Sequence, residues 1–346
     1  MNRKVVFAAL TIAALFLVSV YIVAFNRTEA EEMRIFCAGS LRIPLEEVAK
    51  VVQERYGINV AIEPSGSVEA LRKVTDLGKS CDLLALADYR LIPKFMVPEH
   101  ADWYVAFATN RIVLAYTDNS RYANEIESNP DKWYEILMRS DVRFGFSDPN
   151  KDPCGYRAVG VIALASIYYN NNKILDVLIA EKTNMEVERL EGKINVYVPA
   201  SLTVESSDLF IRPKSVDLIA MLEAGSIEYA FEYKSVAVQH KLKYIELPCE
   251  IDLGDPKYDD FYIKVSVHIL CGTEKENEIP LKSIVYGFTI PQNAKRPDLA
   301  IKFIKVLLSD EGKTIFESLG QPFLEKPLGY GAVPDELKSI VEIVGE

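Results

Sequence analysis

Hydrophobic and polar positions follow two alternating patterns over most of the chain. Short apolar runs such as Met33–Ala38 predict buried strands, because a strand of four to eight residues that is covered on both faces is apolar throughout. Between these runs, apolar residues recur every three to four positions, as Leu45, Val48, Val52 and Tyr56 do, which predicts amphipathic helices. This alternation of strands and helices is typical of α/β architecture.

Two of the predicted strands indicate a two-domain chain. Strands are predicted at 33–38, 59–62, 83–87, 110–116, 142–146, 227–231 and 284–290, helices at 45–56, 68–77, 155–169, 216–223 and 297–308, a hairpin around Glu191-Gly192, and a last helix from Glu336. The length of 346 residues favours two domains. The strands at 110–116 and 284–290 are candidates for crossing between them, so we expect lobe 1 to comprise residues 31–115 plus 285–346 and lobe 2 residues 116–284. A ligand in such a fold lies in the crevice between the lobes.

The first thirty residues predict export. Arg3 and Lys4 precede the uncharged, apolar run Val5–Phe25, which as a helix would be roughly 32 Å long and would span a bilayer. Thr28-Glu29-Ala30 is a weak cleavage site, so residues 1–30 form either a signal peptide or an uncleaved membrane anchor, and we favour the anchor. Positive charge before the run places the rest of the chain outside the cytoplasm.

Composition excludes several classes of protein. Apolar residues make up 49% of the chain and charged residues 26%, which is the balance of a globular protein rather than a disordered one. The net charge of −11 and the lack of basic clusters argue against nucleic-acid binding. The five cysteines lack the CxxC spacing of a zinc site and the three histidines are scattered. For an exported chain we expect disulfides Cys37–Cys81 and Cys249–Cys271 with Cys154 free, with five buried thiols as the alternative.

Four loops share a design that suits an anion. Small or hydroxyl residues stand between the end of a strand and the start of a helix at Gly39-Ser40, Ser65-Gly66-Ser67, 147–155 and Ser215. A helix N-terminus offers free N–H groups and a partial positive charge, and Ser adds a hydroxyl donor. Ser, Asp and Gly are also common helix caps, so one such loop alone has a purely structural explanation. Four loops together predict a small oxyanion site built mainly from neutral dipoles.

Several motifs resemble the molybdate/tungstate-binding proteins of ABC transporters, in particular their archaeal-type branch. The resemblance covers nearly all of the chain from Met33, and its most specific parts are the DPCGYR run at 152–157 and the YKSVA run at 233–237. Further matching segments are AGSL at 38–41, DY at 88–89, NRIVLAY at 110–116, WYEIL at 133–137, FGFS at 144–147, YG at 286–287 and IP at 290–291.

The resemblance implies a fold, a ligand and partners. The fold is that of type II periplasmic binding proteins, with two α/β lobes that close on tungstate or molybdate. The protein would act as a monomer, without a cofactor, and deliver its ligand to a permease with a cytoplasmic ATPase. Donors carried over from the family fall on Gly39, Ser40, Ser67, the turn Asp152-Pro153-Cys154, and Tyr233. Two family carboxylates fall on Asp152 and on position 215, where this chain has Ser215 instead of Glu.

Asp152 has two possible roles. It is the N-cap of the helix that begins at Pro153, or its carboxylate bonds the Mo(VI) or W(VI) centre, which accepts oxygen ligands beyond four where sulfur and phosphorus do not. Asp217, two residues after Ser215, is expected to be a first-turn acid rather than a substitute ligand.

Other functions remain as alternatives. The chain could be an exported receptor for a sulfate- or phosphate-type oxyanion, or for ferric ion through its tyrosines. A hydrolase that uses Cys154 lacks a histidine base in any recognisable motif, so we do not expect an enzyme.

Overall fold

The computed structural model describes residues 32–344. The apolar run Val5–Phe25 lies outside the described residues. Between residues 32 and 344 no helix is both long and apolar enough to cross a bilayer.

Each of the seven predicted strands, the hairpin and the five helices predicted before residue 310 lies within a few residues of an observed element, and the remaining strands and short helices were not predicted. The strands are β1 Glu32–Ala38, β2 Asn59–Ser65, β3 Leu83–Leu86, β4 Trp103–Asn110, β5 Ile112–Tyr116, β6 Phe144–Ser147, β7 Glu186–Leu190, β8 Lys193–Pro199, β9 Leu209–Arg212, β10 Tyr229–Tyr233, β11 Lys243–Glu246, β12 Val265–Cys271, β13 Asn277–Pro280, β14 Ile284–Thr289, β15 Phe323–Gly331 and β16 Glu342–Ile343. The helices are α1 Arg42–Tyr56, α2 Ser67–Thr75, α3 Leu91–Phe95, α4 Ala123–Ser128, α5 Trp133–Leu137, α6 Pro153–Tyr168, α7 Lys173–Leu175, α8 Asp217–Glu223, α9 Lys234–Gln239, α10 Asp259–Tyr262, α11 Pro297–Leu307 and α12 Asp310–Ser318.

A seven-stranded sheet, sheet A, gathers both ends of the described chain in the order β16-β15-β4-β14-β3-β1-β2. β1 is parallel to β2 and β3, whereas β14 runs antiparallel to β3 and β4. The carboxyl ends of β1, β2 and β3 therefore meet at one edge, and the loops with Gly39, Ser67 and Ala87 leave the sheet there. We call residues 32–110 and 284–344 region A.

Two smaller sheets come from the middle of the chain. Sheet B has the order β11-β5-β10-β6-β9, with β10 parallel to β6 and antiparallel to β5, and sheet C has the order β13-β12-β8-β7. We call residues 111–283 region B. The switch between sheets falls between Asn110 at the end of β4 and Ile112 at the start of β5, slightly earlier than the expected boundary at 115/116.

Helix α6 forms the centre of region B. Residues Pro153–Ser166 of this helix are all buried, since its sequence is apolar on every side apart from Arg157. The helix packs against β6 and β10 of sheet B and against β12 of sheet C. It starts at the edge where region B faces region A, which places its first turn at the boundary between them.

Two sequence expectations are wrong. All five cysteines are free thiols, and Cys37 and Cys81 pack into separate hydrophobic clusters, so they do not face each other. The segment from Glu336 forms turns and then β16, which pairs with β15 in parallel, instead of a helix.

Candidate functional site

Region A contributes two serine hydroxyls. Ser40 is buried in the 3-10 turn that follows β1, and its Oγ lies 3.2 Å from the hydroxyl of Tyr286. Ser67 is the first residue of α2, and its Oγ accepts a hydrogen bond of 2.9 Å from the amide of Ala87. Because the Ser67 oxygen is the acceptor there, its own hydrogen remains to be donated elsewhere.

Region B contributes the carboxylate of Asp152 at the start of α6. Pro153 occupies the first helical position, and Asp152 is the N-cap, which is one of the two roles that the sequence left open for it. Its Oδ1 accepts from the amide of Cys154 at 3.3 Å, and its Oδ2 accepts from the amide of Ser215 at 2.9 Å. Ser215 therefore helps to orient Asp152 through its backbone.

Tyr233, at the end of β10, is buried beside the region A hydroxyls. Its ring centroid lies 5.9 Å from that of Tyr286. Asn110 links the two neighbourhoods, because its side-chain amide donates to the Tyr286 hydroxyl at 3.0 Å and to the Ser235 hydroxyl at 2.7 Å. Burial raises the pKa of Tyr233 well above its usual value, so the phenol keeps its hydrogen.

The two regions touch directly at the predicted loops. A Cβ on Gly66 of region A would lie 2.2 Å from the carbonyl oxygen of Lys151 and 3.3 Å from the Cβ of Asp152 in region B. Only a residue without a side chain allows this approach. A Cβ on Gly39 would lie 3.3 Å from a methyl of Val216, so this second contact is between side chains that can adjust. The structure thus brings together Gly39, Ser40, Ser67, Asp152, Pro153, Cys154, Ser215 and Tyr233, although the thiol of Cys154 points to the Phe231 carbonyl oxygen at 3.8 Å.

The sequence interpretation overlooked Arg157. This residue is 1% exposed, and its Nη1 donates to the Ala87 carbonyl oxygen and to the Tyr233 hydroxyl, each at 2.7 Å. Nε and Nη2 are buried and make no hydrogen bond, while Nη2 lies 3.3 Å from the Oδ2 of Asp88. Arg157 is the one charged residue in the otherwise apolar helix α6, and this was the signal in the sequence.

Asp88 of region A ties this arginine to a wider network. Its carboxylate accepts from the Arg90 guanidinium at 2.7 and 3.0 Å and from the Tyr156 hydroxyl at 2.9 Å. Burial alone would raise the pKa of Asp88, but the charges of Arg90 and Arg157 outweigh burial and hold this pKa well below its usual range. The guanidinium groups of Arg90 from region A and Arg157 from region B thus share the Asp88 carboxylate.

Two buried carboxyl groups of region B behave in the opposite way. Burial raises the pKa of Asp152, and the amides of Ser215 and Cys154 only partly offset this. Burial also raises the pKa of Glu232 well above its usual value, helped by the charge of Asp152. One oxygen of Glu232 has no hydrogen-bond partner, and the sequence interpretation did not single out this residue.

Asp217 and Cys154, the two remaining candidates, have surroundings that fit a structural role. Asp217 lies in the first turn of α8, as expected, and its carboxylate accepts from the Lys214 amide at 3.3 Å. The pKa of the Cys154 thiol is raised well above its usual value by burial, which is the opposite of an activated nucleophile. Among residues 32–344 no group of three or more His, Cys, Asp and Glu side chains is placed to hold a metal ion.

Comparison with known proteins gives the family. The family described as bacterial extracellular solute-binding proteins matches residues 33–320. A protein of Staphylothermus marinus named as an uncharacterized solute-binding protein is 58% identical over 316 residues, which are 91% of this chain and 90% of that protein. This chain belongs to the extracellular solute-binding protein family.

Further relatives confirm the resemblance noted in the motifs. The molybdate/tungstate-binding protein WtpA of Pyrococcus abyssi is 50% identical over 315 residues, which are 89% of each chain. Among solved structures, the periplasmic molybdate-binding protein of Azotobacter vinelandii matches with a TM-score of 0.56 at 14% identity, over 84% of this chain and 98% of that one. The type II periplasmic-binding-protein fold of this solute-binding protein is thereby confirmed.

Proposed function

We propose that this solute-binding protein captures tungstate or molybdate between regions A and B and delivers it to an ABC importer. The observation that carries the proposal is the convergence of hydroxyl, amide and guanidinium donors from both regions on the boundary around Gly66 and Asp152. The name of the Pyrococcus abyssi relative supports this choice of ligand.

The donor set suits a small oxyanion. Ser40, Ser67 and Tyr233 carry hydroxyls that keep their hydrogens at neutral pH, and a ring of such donors can satisfy the oxygen atoms of a tetrahedral anion. Arg157 adds a positive charge with two unsatisfied N–H groups beside these hydroxyls. The raised pKa of Glu232 favours its neutral form, which lowers the negative charge that an incoming dianion meets.

Asp152 gives the site its proposed selectivity. A carboxylate at about 4 Å from an anionic oxygen, at an effective dielectric of about 20, repels it by about 4 kcal/mol for each pair of unit charges. A carboxylate oxygen that bonds the Mo or W centre converts this penalty into a ligand bond, whereas sulfate cannot form the bond and keeps the repulsion. Both Asp152 oxygens accept one backbone hydrogen bond each, which leaves lone pairs for coordination.

The domain organisation, location and partners of the protein are also part of this proposal. Regions A and B would be the two lobes, close to the predicted 31–115 plus 285–346 and 116–284, and residues 1–30 would export or anchor them. The receptor would act outside the cytoplasm as a monomer, bind no cofactor and catalyse no reaction. A permease and its ATPase would be the partners, as the resemblance implies.

Calorimetry on the purified full-length protein in detergent tests this function. We expect tungstate and molybdate to bind at least tenfold more tightly than sulfate or phosphate. Tighter binding of sulfate or phosphate would favour the alternative oxyanion receptor, and no binding of any of the four anions would contradict the proposal. A coloured ferric complex in the same protein would instead indicate an iron receptor.

A further inference from the structure

The boundary between the regions holds a buried arginine, Arg157, which the loop sequences alone did not predict. Arg157 reaches from α6 of region B to the Ala87 carbonyl oxygen of region A at 2.7 Å, and to Asp88 at 3.3 Å. Its side chain is 1% exposed. A buried guanidinium is retained only where partners or a ligand compensate its charge.

The hydrogen bond between Arg157 and Tyr233 has one possible direction. A guanidinium only donates, so the Tyr233 oxygen accepts at 2.7 Å. The phenol hydrogen must then point away from Arg157. Among the described residues the Tyr233 hydroxyl has no second partner, so its hydrogen is free for an acceptor at the boundary.

The charges around Arg157 do not cancel. Asp88 accepts from both Arg90 and Tyr156 and contacts Arg157 only at the distance of an ion pair. Arg157 also keeps Nε and Nη2 without hydrogen bonds. Around Asp88 itself, two guanidinium groups share one carboxylate, and the next acid close enough to interact with the charge of Arg157 is Asp152 of the proposed site.

We propose that Arg157 is a positioning residue for oxyanion capture, which fixes the Tyr233 hydroxyl as a donor to the ligand and ties ligand binding to the contact between the regions. The inference rests on the proposed function and deepens it. Arg157 supplies the charge that balances part of the dianion, and the ligand oxygen completes the hydrogen bonding of Tyr233. Because the same Nη1 holds Ala87, the bound anion and the closed arrangement of the regions stabilise each other.

A double-mutant cycle on the full-length protein tests this role, with tungstate affinity measured by calorimetry. Tyr233→Phe removes one hydrogen bond to a charged group, and we expect a loss of roughly 10- to 100-fold. Arg157→Gln should lower tungstate affinity by at least the same factor. The loss in the double variant should be at least tenfold smaller than the product of the losses in the two single variants. Arg157→Lys keeps the positive charge but loses the planar set of guanidinium donors, so its tungstate affinity should lie between those of the native protein and Arg157→Gln.

Matched controls separate positioning from folding. Arg143 forms an ion pair with buried Glu228 at 2.7 Å in region B, away from Tyr233, so Arg143→Gln should lower the melting temperature and leave affinity unchanged. If Arg157→Gln does not fold, Arg157→Lys with and without Tyr233→Phe gives the same cycle. Losses that multiply, or native affinity in a folded Arg157 variant, would overturn the inference while the proposed function stands. A native protein that binds no oxyanion would overturn the proposed function itself.

Discussion

The two regions present different chemistry to the boundary between them. Region A offers the neutral hydroxyls of Ser40 and Ser67, and its charged residues Asp88 and Arg90 pair with each other. Region B adds the hydroxyl of Tyr233 and brings the carboxyls of Asp152 and Glu232 together with the guanidinium of Arg157. Neutral donors recognise oxygen atoms whatever atom stands at the centre of the anion. Charged groups respond to total charge and to the central atom. We therefore expect region A to set affinity for oxyanions in general and region B to set the choice among them.

The largest expected effect comes from Asp152→Ala. If its carboxylate coordinates the metal, tungstate affinity should fall by roughly 1000-fold, the scale of removing one partner from a buried charged interaction. Sulfate affinity should fall less or rise, because the like charge is gone. Calorimetry with both anions measures this, and Asp217→Ala, which alters an acid in the first turn of α8, should leave both affinities unchanged. Equal losses for the two anions would leave Asp152 as a helix cap only.

A second prediction concerns how closely the regions approach. Gly66→Ala places a methyl against the Lys151 carbonyl oxygen, and we expect roughly a 100-fold loss for every oxyanion, since a backbone atom cannot move aside cheaply. Gly39→Ala meets only the Val216 side chain and should lose much less. Dissociation rates of tungstate, measured by stopped-flow fluorescence, should rise for Gly66→Ala. An unchanged rate would mean that the regions bind ligand without this contact.

A smaller effect is expected on the neutral side of the comparison. Ser67→Ala removes one donor and should weaken tungstate, molybdate and sulfate by a similar factor of roughly 10. The same calorimetric series measures it, with a thermal melt to record the effect of freeing the Ala87 amide. A loss confined to tungstate would show that region A also discriminates.

The smallest expected effect is a pH-dependent change in folding stability caused by the buried Glu232. Its pKa is raised in the folded chain, so the unfolded chain loses this proton first as pH rises above the ordinary value of 4.5. Folding stability from this group is therefore present at low pH and is lost as pH rises towards the folded pKa. Glu232→Gln should gain melting temperature relative to the native protein as pH rises, by roughly 1–2 °C for each kcal/mol in a chain of this size. Ligand-free melts over this pH range test it, with the exposed Glu325→Gln as the control, and a difference that does not change with pH would contradict it.

The sequence predicted well those features that depend only on residues close together in the chain. The Asp152 cap followed by Pro153 was one of the two roles expected for Asp152, and the helices predicted to start at 68 and 216 start one residue away, at Ser67 and Asp217. These features depend on residues that are neighbours in the chain. Arg157 was missed because its partners, Ala87 and Asp88, lie about 70 residues earlier in the chain, and only the packing of α6 brings them together.

The expected disulfides failed for a related reason. Cys37 and Cys81 belong to separate buried clusters, which the order of residues in the chain does not reveal. The last segment failed because its pairing with β15 depends on a strand some fifteen residues away, and tertiary pairing outweighed its helical pattern.

The single residue between β4 and β5 has a mechanical consequence. Arg111 alone separates the last strand residue of one sheet from the first of the other, and Asn110 beside it holds Ser235 and Tyr286. A link this short would act as a pivot close to the proposed site residues. A modest rotation about it would shift Ser40 and Tyr233 little, and it would strain direct contacts between the regions such as the ion pair of Lys275 with Asp76. Opening and closing of the boundary would therefore move the remote surfaces of the two regions more than the groups close to Arg111.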